Sequence, residues 1–247
     1  HLCNLLAGLW LARVAGASRI SAFTALVLVA SSPVVLHEIA GGRTLSGVVW
    51  PGLCGLAMLW RGSGLWAGLL IGLQGLCYIY TGMLFGIVAL VLRPCWGLSL
   101  AALPMLPYLW WLSPVWQGLQ GEAPPAGHSS IPLGGLLSGW WGSPQMPERF
   151  LFQPLLLSAL ALPFVKGMDR AHAWRWVGVG FLALGVSMGP VLEWSKGDSI
   201  IGSPLGWLLA GPELSRMHHP VRAALIAGPL LAVGVALLLD RLPKEAV

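Results

Sequence analysis

The sequence predicts an all-α fold: a polytopic transmembrane helical bundle of about nine membrane segments, including a short hairpin, with a re-entrant or interfacial segment near the last span. Three observations lead there. Only 9% of the 247 residues are charged and 56% are hydrophobic, whereas ordinary soluble domains carry roughly 25% charged side chains. The mean hydropathy is +0.77. The chain holds 14 tryptophans and 33 glycines, residue types that gather at membrane interfaces and at close helix contacts.

Residues 1–247 are expected to form a single transmembrane domain, the C-terminal portion of a longer protein. The first apolar run, Leu2 to Ala12, makes about 17 Å of helix against a hydrocarbon core of about 30 Å. That is half a span, and His1 stands where a Met would open a complete chain. Apolar runs follow at Ile20–Leu36, Leu45–Trp60, Gly64–Leu92, Trp96–Trp116, Phe150–Val165, Trp174–Leu192 and Val221–Leu239.

The Gly64–Leu92 run would be about 43 Å long as one helix, too much for one crossing and short for two. Charge parity favours two short segments turning near Tyr78 to Thr81. Arg13, Arg19, Arg61, Arg93, Lys166, Arg170, Arg175, Arg241 and Lys244 then share the inner side, nine of the fourteen basic residues, as the positive-inside rule asks. Gly64, Gly68 and Gly72 fall on one helix face, and Gly82 and Gly86 repeat the spacing, which suits a tight hairpin. Trp60, Trp66, Trp96 and Trp174 lie near the inner interface and read as belt anchors.

Two outer connections are long. Residues 118–149 read as an external loop with an interfacial segment, since an apolar stretch, Ile131 to Trp141, sits between proline-rich turns. Residues 193–220 read as an external re-entrant loop, because Leu205 to Ala210 is bounded by Pro204 and Pro212 and flanked by charge.

The chemistry is expected in that second loop. Arg216, His218, His219 and Arg222 surround Pro220 at the start of the last apolar run. A helix N-terminus is partly positive, so Arg222 in its first turn calls for an anion nearby. Together with Lys196 these residues form a candidate lipid-phosphate site, gripped by guanidinium forks; pairing of the arginines with Glu213 or with ordinary headgroups is the bland alternative. Tyr78, Tyr80, Glu193, Asp198 and Glu213 are candidates for lining a substrate cavity. Adjacent histidines do not share a helix face, so no metal site is expected of His218 and His219. Cys3, Cys54, Cys77 and Cys95 form no C-x-x-C pair and read as small packing residues. The scattered positive charge excludes nucleic acid as a partner; membrane lipids are the expected one.

Short motifs add a resemblance: His1-x-x-Asn4, Ser18-Arg19-x-x-Ala22, Ser32-Pro33, Gly41-Gly42, Trp50-Pro51, Gly68, Tyr80, Gly189-Pro190 and Leu214 through Arg222. In outline the chain resembles bacterial proteins of the GT-C membrane glycosyltransferase superfamily, the YfhO-like group among them. The resemblance implies a multi-pass protein of the bacterial cytoplasmic (inner) membrane with a cytoplasmic C-terminus. It also implies hexosyl transfer from a polyprenyl-phosphate sugar at the outer face. The superfamily's catalytic carboxylates lie in an external loop that would precede His1, so no catalytic residue is assigned within this chain. No cofactor is expected in it either, a divalent metal only with that loop. The competing expectation is a non-catalytic membrane protein that binds or moves lipid or scaffolds partners. The oligomeric state is left open.

Overall fold

The computed structural model describes residues 2–30, 48–108, 110, 161–166, 169–187, 191–193, 199–202 and 224–241. Seven α-helices lie among them: α1 Leu2–Val14, α2 Arg19–Ala30, α3 Trp50–Trp60, α4 Gly64–Cys77, α5 Ile79–Leu92, α6 Arg170–Ser187 and α7 Ala224–Leu239. A 3-10 turn, Trp96–Ala101, leads into helical residues 102–108, and a second, Leu162–Phe164, precedes α6. Val191–Glu193 and Ser199–Gly202 pair as an antiparallel β1–β2 hairpin, with a register shift between Leu192 and Glu193.

The helical class stands, but the bundle of nine spans does not. Among the described residues no helix is long and apolar enough to cross a membrane. The physical reason is punctuation. Helix α3 stops after 11 residues at Arg61 and Gly62, the latter at φ +89°, a left-handed conformation that glycine adopts without strain. Helix α4 stops after 14 residues at an extended Tyr78, and α5 after 14 at an extended Arg93 followed by Pro94. Fourteen residues make about 21 Å of helix, well short of a hydrocarbon core. The break at Tyr78 falls inside the expected turn, yet neither half is long enough to cross a membrane. Trp96–Ala101 is a 3-10 turn, and residues 109 and 111–116 of the expected Trp96–Trp116 segment lie outside the described residues.

Helix α7 departs furthest from expectation. Residues 225–237 are buried on every side, enclosed by α1, α2 and α6. A helix that is apolar all round belongs in an interior, and here the interior is the protein's own: Ile226, Leu230 and Leu231 join Leu11, Ala22, Val177 and Trp176 in one core. On the other side of α1, helix α3 packs against α4, and α5 closes against both α4 and α6.

Helix ends are joined by side chains from distant helices. Ser18 caps α2 by accepting the Ser21 amide at 3.2 Å on its Oγ. Asp240, just past α7, completes that cap by accepting the Ser18 amide and the Ser21 hydroxyl. Burial pushes the Asp240 carboxyl upward, but the donors from Ser18 and Ser21, with Arg13 nearby, outweigh it and hold the group below its ordinary value of 3.8. A carboxyl with a depressed folded pKa stabilises the fold above its unfolded value, and that stabilisation disappears as pH falls through the folded value. Asp240→Asn is therefore expected to be less stable than the parent at pH 6 and to converge with it toward pH 2, as measured by denaturant unfolding across pH. A constant difference over that range would remove the carboxylate from the cap.

The glycine faces do not close the α4–α5 hairpin as their spacing suggests. A Cβ on Gly68 would lie 2.1 Å from the Gly97 carbonyl oxygen, one on Gly72 2.5 Å from that of Ala101, and one on Gly64 2.6 Å from the Cys95 sulfur. The Gly64–Gly68–Gly72 face thus seats the 95–105 segment directly on α4. Only Gly82 serves the hairpin, with its missing Cβ 2.4 Å from the Gly75 Cα, while nothing lies within 4 Å of that position on Gly86.

Candidate functional site

The loop residues singled out in the sequence, Lys196, Asp198, Glu213, Arg216, His218, His219 and Arg222, lie outside the described residues, as does the 118–149 loop. Glu193 ends β1, where its backbone pairs with Ser199. Tyr78 and Tyr80 stack edge to face with ring centroids 5.6 Å apart, at the seam between α4 and α5. The Tyr78 carbonyl accepts the Thr81 hydroxyl at 2.8 Å and the Gly82 amide at 3.1 Å, so its backbone anchors the start of α5.

Three arrangements stand out that the sequence reading did not single out. The first is a buried polar knot beneath Tyr78. Gln74 is fully buried: its Oε1 accepts the Gly52 amide at 3.2 Å, and its Nε2 donates to the Val48 carbonyl at 2.7 Å and the Thr81 hydroxyl at 2.9 Å. Asn4 of α1 works beside it, its Oδ1 accepting the amides of Val49 and Trp50 at 3.0 and 2.9 Å. Pro51 has no N–H, so the free donors of the first turn of α3 are all met by side chains from α1 and α4.

The second is an aromatic cluster where α3 meets α6. Trp60 lies 5.2 Å from the His172 ring and 5.1 Å from Trp176. Trp176 is fully buried, and among the described residues its indole N–H has no hydrogen-bond partner. Burial pushes the His172 pKa down. Asp169 and the bond to the Ala15 backbone push it up, and Arg175 adds to the downward side, leaving the imidazole below its ordinary 6.5. Trp60 is partly buried against the core, whereas Trp66, Trp96 and Trp174 are exposed.

The third is a pair of adjoining cavities around Cys95. One is an apolar groove of about 550 Å³ lined by Ile71, Gly86, Leu90, Trp96 and Leu98. The other is a cleft of about 370 Å³ between the end of α3 and the start of α4, lined by Leu59, Gly62, Gly64, Gly97 and Arg93. Cys95 borders both. Arg93 leans over the C-terminus of α3, its guanidinium 3.4 Å from the carbonyl oxygens of Leu59 and Trp60, where a cation suits the helix dipole. The signal in the sequence was only an arginine before a proline, which reads equally well as an inner-side topology charge.

Among the described residues no three His, Cys, Asp or Glu side chains gather into a metal-ligand set, and all four cysteines are free thiols. Cys54 sits partly buried against the core, as a packing residue should, but Cys3 is exposed.

Over 163 residues, 56% of its length, the chain is 32% identical to the apolipoprotein N-acyltransferase of Rhizobium meliloti (strain 1021). It spans 29% of that relative's length. No family model matches the chain, and no solved structure matches it. The similarity found is thus to an acyltransferase, and nothing in the comparisons supports the GT-C glycosyltransferase resemblance.

Proposed function

We propose that this chain is part of a membrane-associated acyltransferase that transfers an acyl group to the nitrogen of a lipoprotein acceptor: an ester bond of a membrane lipid breaks, the amide bond forms, the amine loses a proton, and the deacylated lipid leaves with its hydroxyl restored. The observation that carries the reading is the 32% identity over 163 residues to an apolipoprotein N-acyltransferase. The surface supports the membrane half of it. Ile20 is 81% exposed, Phe23 63% and Trp96 93%, with Leu103 and Leu106 also open. Large apolar side chains displayed in such number mark contact with lipid or with another protein surface. Within this reading Arg216, Arg222, Lys196, His218 and His219 together are proposed to hold a lipid phosphate.

The test uses the full-length protein, purified with its lipids and incubated with an apolipoprotein bearing a free amino terminus. The expected result is an acceptor heavier by one acyl group, with the added mass on the terminal amine in peptide fragmentation. An acceptor left unmodified, or a hexose transferred from a polyprenyl-phosphate sugar instead, overturns the proposal.

A further inference from the structure

We infer that the two cavities meeting at Cys95 form one bipartite lipid site, which takes an acyl chain of an anionic phospholipid in the groove and its phosphate at Arg93. The groove is the apolar half. Gly86 leaves its floor open, since a Cβ there would meet nothing within 4 Å, and Leu90 and Trp96 stand exposed along its walls. Its volume of about 550 Å³ lies within the usual range for small-ligand sites, roughly 300 to 1,000 Å³.

The cleft is the polar half. Among the described residues no carboxylate pairs with Arg93, and its two bonds to carbonyl oxygens are long, at 3.4 Å. Both of those bonds use one terminal nitrogen, so the rest of the guanidinium fork remains for a phosphate, which it matches in geometry and charge. Gly62, with its missing Cβ 3.6 Å from the same guanidinium nitrogen, keeps the approach open. Apolar length ending at a cation that has no carboxylate partner among the described residues is the shape of an anionic amphiphile and not of a neutral one.

The site stands whether or not the protein transfers acyl groups, and its test involves no turnover.

Trp96 gives the readout, because brominated acyl chains quench tryptophan at contact. The full-length protein in neutral detergent is titrated with phosphatidylglycerol carrying brominated chains, and the same titration of Trp96→Phe supplies the background from the other tryptophans. Saturable quenching of Trp96 is expected. Arg93→Gln is expected to weaken it about 10-fold or more, the loss that follows from removing a charged hydrogen bond. Arg93→Lys should retain most of it, and Gly86→Leu should abolish it by filling the groove where the fold has room. Melting curves check that each variant is folded, and if Arg93→Gln is not, Gly86→Leu decides alone. Quenching unchanged in Arg93→Gln and Gly86→Leu overturns the site. Equal affinity for brominated phosphatidylcholine overturns the charge recognition. Tighter binding of a brominated fatty acid overturns the phospholipid as occupant.

Discussion

Gly68→Leu is expected to lower the stability of the protein by about 3 to 5 kcal/mol, the upper end of what single substitutions do. In a chain of this size that corresponds to a fall in melting temperature of about 10 °C or more. A Cβ at this position would stand 2.1 Å from the Gly97 carbonyl oxygen and 3.3 Å from the Ala101 amide nitrogen. Those neighbours are backbone, and backbone cannot swing aside as a flexible side chain can. Helix α4 and the 96–101 turn must therefore separate along their whole contact, which Gly64 and Gly72 share. Gly86→Leu is the matched control, a glycine of the same hydrophobic region with open space around it, and is expected to melt within about 0.5 kcal/mol of the parent. Equal melting of both variants would show that the seating on α4 carries no stability.

Gln74→Leu is expected to cost about 2 to 5 kcal/mol, although leucine is similar in size and better suited to an apolar interior. The loss comes from what remains behind. The buried Gly52 amide and the part-buried Val48 carbonyl lose their partner, the amide at about 1 to 3 kcal/mol. Gln74→Glu separates shape from hydrogen bonding: it still accepts from Gly52, but an ionised carboxylate has no proton for Val48 and is costly to bury. Both variants are expected to be destabilised in chemical unfolding. A neutral Gln74→Leu would mean that α3 begins without help from α4.

Composition carried the helical class, and charge parity made the break at Tyr78 legible. Helix length was not. A run such as Gly64–Leu92 is apolar throughout, and hydropathy cannot distinguish a surface that meets lipid from one that meets another helix. The Val221–Leu239 run shows the ambiguity at its fullest, since α7 is wrapped by α1, α2 and α6 and its apolar residues 225–237 are all buried. Glycine spacing was legible as a close contact but not as to partner, because Gly64, Gly68 and Gly72 receive a segment some 30 residues downstream. Asn4, Gln74 and Asp240 were invisible as caps, since each serves a helix far away in sequence. Of the candidate site, Tyr78 and Tyr80 could be placed and Arg93 had no distinguishing neighbour in the chain; the loop basic residues lie outside the described residues.

The borrowed donors and acceptors at the head of α3 bear on the order in which the molecule assembles. Asn4 reaches Val49 and Trp50 across more than forty residues of chain, and Gln74 reaches back to Gly52 from the next helix. Helix α3 on its own would open with those amides bare in an apolar setting, so its first turn becomes durable only once α1 and α4 have closed around it. Amide exchange at Val49, Trp50 and Gly52 should then report the joint opening of three helices rather than the fraying of one end. A label at Trp50 would time the moment at which the N-terminal half of the chain becomes a single cooperative unit.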